Sequence, residues 1–458
     1  MTSHSTLLRA VALLGALAGL PATGTAQLTL RDALERADAK AYANRIAGAQ
    51  ADAQSAEALK PYRGILPGLR AEAGFVRTTD PIAAFGTKLR QRGITPADFD
   101  PATLNYPAAI GNKSAGLVAE VPLLNADAWV GRSAAGDAAK AQRAAASWTR
   151  GSTRTDVVRA YFGATLAAEK RATLEAAERA AQAHVARAKA LADTGLVTRS
   201  DALLAEVRAG EITTQRLAAA GDASHATRAL AVLLGEPGTT YALPDSLPAA
   251  DDIRALVAAD TADRALGARD DVKAATLALQ AARADAWRAK SSYLPRLNGF
   301  ARYDWNDADG FFANERAWTA GIMASWSPFA GAGEIAEVRG AAARARSATA
   351  QQEAATANAK LERDRTREAL TVALQQLAIA ERAVAQAAEA HRIVARKYDG
   401  GLATISDLLE AQAMETQSRL GLSFARYQLL VQAAERRQAL GEDPAFLASL
   451  TEPNRASR

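Results

Sequence analysis

Two rhythms of apolar and polar residues alternate along the chain. The first has a period of two. Trp318, Ala320, Ile322, Ala324 and Trp326 alternate with Thr319, Gly321, Met323 and Ser325. Leu69, Ala71, Ala73 and Phe75 alternate in the same way with Arg70, Glu72, Gly74 and Val76, and Leu117, Ala119 and Val121 with Val118 and Glu120. Tyr303 and Trp305 continue the pattern beside Arg302 and Asp304. Successive side chains of a strand point to opposite faces, so each segment predicts a strand with one apolar face. The strands are expected at about 68–78, 114–122, 296–306 and 317–327. Segments of roughly 9–11 residues have the length that crosses a bilayer at a tilt. Aromatics bounding the apolar face fit an interfacial belt. A soluble four-stranded sheet over a helix is the alternative at this point.

The second rhythm is helical and long. No proline lies between Pro122 and Pro237, or between Pro328 and Pro444, and both spans are rich in Ala, Arg, Glu, Gln and Leu. Helices are expected over Asp127–Thr194 and Glu334–Lys397, each followed by a glycine turn and a return helix, Ser200–Leu234 and Ser406–Leu440. Shorter helices are expected before the strands, at about Ala49–Leu59 and Asp271–Ser291, each stopped at a Leu-Pro corner.

The two halves are a repeat. At constant offset Asp193, Gly195, Leu196, Thr198, Ser200, Asp201, Leu203 and Ala205 match Asp399, Gly401, Leu402, Thr404, Ser406, Asp407, Leu409 and Ala411. Leu234-Gly235-Glu236 matches Leu440-Gly441-Glu442, and Pro122 matches Pro328. The corners at Pro67 and Pro295 match at a larger offset, which places an insertion at Thr79–Lys113 of the first half. The expected organisation is a signal peptide at 1–26, repeats at 27–236 and 271–442 with helical hairpins at 126–235 and 331–441, a linker at 237–270 and a tail at 443–458.

Composition sharpens this. Roughly a quarter of the residues are alanine, and only 5% are aromatic, which favours long helices in close contact over a bulky compact core. With 55 Lys+Arg against 50 Asp+Glu and no basic run, a nucleic-acid partner is not expected. Zero Cys excludes disulfides, thiol chemistry and a lipid-anchored N-terminal cysteine. Arg9 before the apolar run Ala10–Leu20 and the small residues Gly24-Thr25-Ala26 read as an export signal too short to span a membrane. His184, His225 and His391 stand isolated on helices, without metal-ligand spacing, and no catalytic motif occurs, so neither enzyme activity nor a cofactor is expected.

In this order, and twice over, these features resemble the TolC family of outer-membrane efflux and secretion channels. The carriers are the Leu-Pro corners, the prolines at the strand exits Val121-Pro122-Leu123 and Ser327-Pro328-Phe329, the Gly-Leu-x-Thr turns and the Leu-Gly-Glu ends. The resemblance implies a mostly α, α+β fold in which a homotrimer shares a twelve-stranded outer-membrane β-barrel. A periplasmic α-helical barrel would continue it, with a mixed equatorial region formed by Gln27–Arg45, Gly238–Asp270 and the tail. It further implies a passive exit duct in the outer membrane of a Gram-negative cell. Its tips would dock on a periplasmic adaptor that leads to an inner-membrane pump.

Site residues follow from the same resemblance. Asp407 and Glu410, i and i+3 on one helix face, correspond to the acidic constriction, two rings of carboxylates that narrow the channel and attract cations. Tyr398 matches a tyrosine that hydrogen-bonds the neighbouring turn, with Asp201 its partner. The family's common Arg is replaced by Ala403, and Arg199 is the candidate substitute. Gly195, Leu196, Thr198, Gly401, Leu402 and Thr404 are expected to contact the adaptor, and Trp318, Trp326, Tyr303 and Trp305 the lipid interface. Thr198 with Asp201 and Thr404 with Asp407 also read as plain helix caps. The rival function is a non-channel periplasmic coiled-coil adaptor or scaffold.

Overall fold

The computed structural model describes residues 27–258, 269–312, 315–329 and 331–452. The signal-peptide expectation at 1–26 lies outside them. Helices α1 (Leu30–Lys40) and α2 (Tyr42–Glu57) lead to strand β1 (Gly68–Thr78), entered directly after Pro67. Next come α3 (Pro81–Arg90), a 3₁₀ turn at Pro96–Phe99, α4 (Pro101–Asn105) and β2 (Ile110–Leu124). The hairpin α5 (Ala126–Asp193) and α6 (Arg199–Leu233) follows. Then come α7 (Ala250–Ala258), α8 (Asp270–Ser291), β3 (Arg296–Asp307) and β4 (Arg316–Ser325). The second hairpin, α9 (Gly333–Asp399) and α10 (Ile405–Ala439), precedes a final 3₁₀ turn, Pro444–Leu450. At 1.5 Å per residue, the 68 residues of α5 and 67 of α9 reach about 100 Å.

The strands form one antiparallel sheet in the order β1-β2-β3-β4. Its register separates two faces along the middle of the strands. Ala71, Leu117, Tyr303 and Trp318 are aligned across the four strands, and so are Leu69, Ala119, Ala301 and Ala320. The opposite face carries Arg70, Glu72, Glu120, Arg302 and Asp304, joined by ion pairs of Arg70 to Glu72 and Glu120 and of Arg302 to Glu72 and Asp304. One face is therefore apolar and exposed, the other charged and self-paired.

One expectation needs correction. Pro122 does not end its strand: β2 continues to Leu124, and the missing N–H is absorbed by a register shift between Pro122 and Leu124. The insertion folds into two helices and a 3₁₀ turn. The start of the tail is anchored. Leu447 and Ala448 are buried, Thr451 Oγ1 accepts from Leu30 N–H at 3.1 Å, and Arg31 pairs with Glu452 at 2.6 Å.

Large apolar side chains concentrate where the elements converge, far from the sheet. Leu30, Leu34, Val157, Tyr161, Phe162, Leu230, Ile253, Leu377 and Leu429 form one core from α1, α5, α6, α7, α9 and α10. Elsewhere the hairpins bury mainly alanine. The Leu-Gly-Glu end of the first repeat has a physical reason. Gly235 sits at φ +76°, where a Cβ would lie 2.2 Å from Lys40 O. Leu234 is buried beside it, and Glu236 pairs with Arg36 at 3.0 Å and Lys40 at 2.5 Å.

Candidate functional site: the helical tips

Both hairpins turn in the same way. Gly195 (φ +77°) and Gly401 (φ +72°) take the left-handed conformation that favours glycine. The following amides close the turn, Leu196 N–H on Leu191 O at 2.9 Å and Leu402 N–H on Lys397 O at 2.8 Å. The exit helices then start with a capping box. Asp201 N–H donates to Thr198 Oγ1 (3.2 Å), and Thr198 N–H to Asp201 Oδ2 (3.0 Å). Thr404 and Asp407 repeat this at 3.2 and 2.8 Å. Leu196 and Leu402 project at 74% and 81% exposure, which no folding reason within the protomer explains. Ala188, Ala202, Ala205, Tyr398, Ile405, Leu408 and Leu409 form a small core beneath them.

Asp407 and Glu410 are both exposed, one helical turn apart on α10. The backbone amide and hydroxyl of Thr404 donate to the Asp407 carboxylate and hold it below the usual carboxylate range. Glu410 also lines a groove with Leu204, Arg208, Ile212 and Met414 between α6 and α10.

The closing network is not assembled as expected. The Tyr398 ring is buried, but its hydroxyl has no hydrogen-bond partner among the described residues, while Thr198 donates to Asp201 Oδ2. Burial pushes the Tyr398 hydroxyl pKa up. Arg199 is exposed and makes no ion pair among the described residues. The hairpins are tied instead by Arg187 to Asp399 (2.8 Å), a pair that sequence reasoning missed although Asp399 belongs to the repeat.

The histidines correct a second expectation. His184 and His391 stand edge to face, ring centres 6.4 Å apart, so they are not isolated. His391 Nδ1 lies 2.6 Å from Glu415 Oε2, and Arg419 shares that carboxylate at 2.6 Å. Burial, then His391 and Arg187, push the His184 pKa down.

The aromatics gather on the apolar face. Tyr303 and Trp318 are direct cross-strand partners, and Tyr303 packs edge to face on Trp305 at 4.8 Å. Trp326 lies just past β4, its indole N–H donating to Tyr293 O at 3.0 Å.

The family profile described as outer membrane efflux protein matches residues 261–442, about two fifths of the chain. No curated protein sequence matches. Among solved structures, VceC of Vibrio cholerae superposes with a TM-score of 0.74 at 18% identity, over 90% of this chain and 96% of that one. CmeC of Campylobacter jejuni gives 0.76 at 15% identity, over 95% and 94%. The structure of CusC gives 0.76 at 18%, over 91% and 93%. The second repeat is thus similar to the outer membrane efflux proteins in sequence, and the whole chain to these channels in fold. The fold is the TolC-like one along almost the whole length of the chain, including the first half that the profile leaves unmatched.

Proposed function

We propose that the protein is the passive outer-membrane exit duct of a tripartite efflux or type I secretion system. The observation that carries this reading is the sheet. Leu69, Phe75, Trp318 and Ile322 on its apolar face are exposed, its other face carries the charged network, and β1 and β4 are edges with no neighbouring strand among the described residues. In hydrocarbon an open edge leaves N–H and C=O groups unpaired at several kcal/mol each, so only a closed barrel is stable there. Three copies joined edge to edge make a twelve-stranded barrel with the apolar face toward lipid and the Arg70–Glu72–Arg302–Asp304 network toward the lumen. The hairpins then continue as a periplasmic tunnel, and the segments 27–236 and 271–442 act as two equivalent repeats of its wall.

The chain would reach the outer membrane by the signal peptide at 1–26 and remain without lipid, having no cysteine. At the tips, exposed Leu196 and Leu402 beside Gly195, Thr198, Gly401 and Thr404 would dock a periplasmic adaptor that bridges to an inner-membrane pump. Asp407 and Glu410 would form the constriction. The test is fractionation followed by reconstitution. A detergent-requiring outer-membrane trimer that conducts ions in planar bilayers is expected. A soluble monomeric periplasmic rod would instead support the scaffold reading, which the family and fold already disfavour.

A further inference from the structure

The insertion joining β1 and β2 folds onto one particular face of the sheet. It leaves from Thr78 and returns at Ile110, at the same end as the connection between β3 and β4, and opposite to the long helices. Its helix α3 ends with Arg92 at φ +47°, an unfavourable conformation for a non-glycine residue, and with Gly93 N–H on Lys88 O at 2.9 Å. This turn sends two side chains to the sheet. Gln91 Nε2 donates to Asn112 Oδ1 and Gly111 O, both at 2.9 Å, and Arg92 pairs with Glu315 at 2.9 Å.

Asn112, Asn306 and Glu315 lie in the register of the charged face, not the apolar one. The two asparagines are buried and bonded to each other at 2.9 Å. Polar groups on a bare channel wall would face water; here the insertion covers them. The segment also has its own small interior. Phe85 packs edge to face on Phe99 at 5.8 Å, Ala84 is buried, and Lys88 pairs with the buried Asp98. It is a built unit tethered on the inside of the sheet.

We propose that residues 79–109 form a size filter over the outer mouth of the channel, three copies narrowing the aperture from within. This rests on the reading of the charged face as a lumen. Ile82 and Tyr106 are exposed on the segment, so the filter presents apolar as well as polar groups to whatever passes.

The chain has no cysteine, so Thr319→Cys creates a single thiol on the charged face. It sits four residues inward of Glu315, about 13 Å at 3.3 Å per residue. Whole cells are labelled from outside with a small maleimide and with polyethylene-glycol maleimides of increasing mass. In the full chain the small reagent is expected to react, and the largest at least tenfold more slowly. Replacing residues 80–107 by a short Gly-Ser turn should make the two rates equal. Equal rates with the insertion present overturn the filter. Should the deletion fail to reach the membrane, Gln91→Ala with Arg92→Ala cuts both tethers and should speed the large reagent several-fold; no change there also overturns it. If even the small reagent fails to react, the lumen reading itself is wrong.

Discussion

Thr404 and Asp407 hold each other across the first turn of α10, the Asp407 amide donating to the Thr404 hydroxyl while the Thr404 amide donates to the Asp407 carboxylate. Asp407 therefore has a structural task as well as its proposed place in the constriction. Truncating it to Ala would lose a cap worth about 1 kcal/mol and confuse the two roles. Asp407→Asn with Glu410→Gln keeps an acceptor for Thr404 and removes only charge. In reconstituted channels this pair of changes should shift the reversal potential under a salt gradient toward zero, with thermal stability nearly unchanged. A reversal potential equal to wild type removes both residues from the constriction.

Tyr398 bears differently on the gate. Its hydroxyl is buried without a partner, so Tyr398→Phe removes a desolvated polar group and nothing it is bonded to. Closed-state conductance and stability should both be unchanged. Tyr398→Ala empties part of the core under the tips and should cost about 3–5 kcal/mol, the range for losing a buried aromatic. Single-channel recording of the two variants checks this. A leak in the Phe variant would show that the hydroxyl finds an acceptor on a neighbouring protomer in the assembled channel.

The equatorial core should carry an acid-sensitive contact. Lys40, Tyr241 and Arg36 donate to the Glu236 carboxylate and hold its pKa at about 2, against an ordinary value of 4.5. The folded value lies below the unfolded one. The contribution is therefore complete above about pH 4.5 and lost as pH falls through about 2. Thermal unfolding of the detergent-solubilised protein should show a falling midpoint across that window. Glu236→Gln should lower the midpoint at neutral pH and flatten its dependence below pH 4.5. An unchanged slope would falsify the linkage.

Legibility tracked periodicity. The strands are visible because Trp318 to Trp326 and Leu69 to Phe75 alternate without error, and a one-residue slip would invert every side chain. The glycine turns and caps are visible because left-handed backbone and capping boxes demand few residue types. The insertion was located but not its fold, since helices of 10 and 5 residues are too short to show a period. Its tethers, Gln91 to Asn112 and Arg92 to Glu315, join residues far apart in sequence that carry no local signature. The Tyr398 hydroxyl is hard to place for a related reason: resemblance supplies a partner's position but not what else that partner binds, and Asp201 Oδ2 accepts from Thr198.

Two neighbouring residues offer the sharpest test of the sheet's sidedness. Ile322 and Met323 are adjacent on β4 and both exposed in the single chain, so exposure does not distinguish them. Register does. Ile322 aligns with Gly299 and Val121 on the apolar face, whereas Met323 aligns with Asn298 on the charged face. If the apolar face meets lipid, Ile322→Arg near the middle of the band should cost about 2–4 kcal/mol. Met323→Arg should be tolerated, its guanidinium reaching lumen water. The yield of membrane-inserted trimer and folding equilibria in lipid vesicles report the difference directly. Equal losses from the two substitutions would contradict a sheet with one face in lipid and one in water, and with it the barrel.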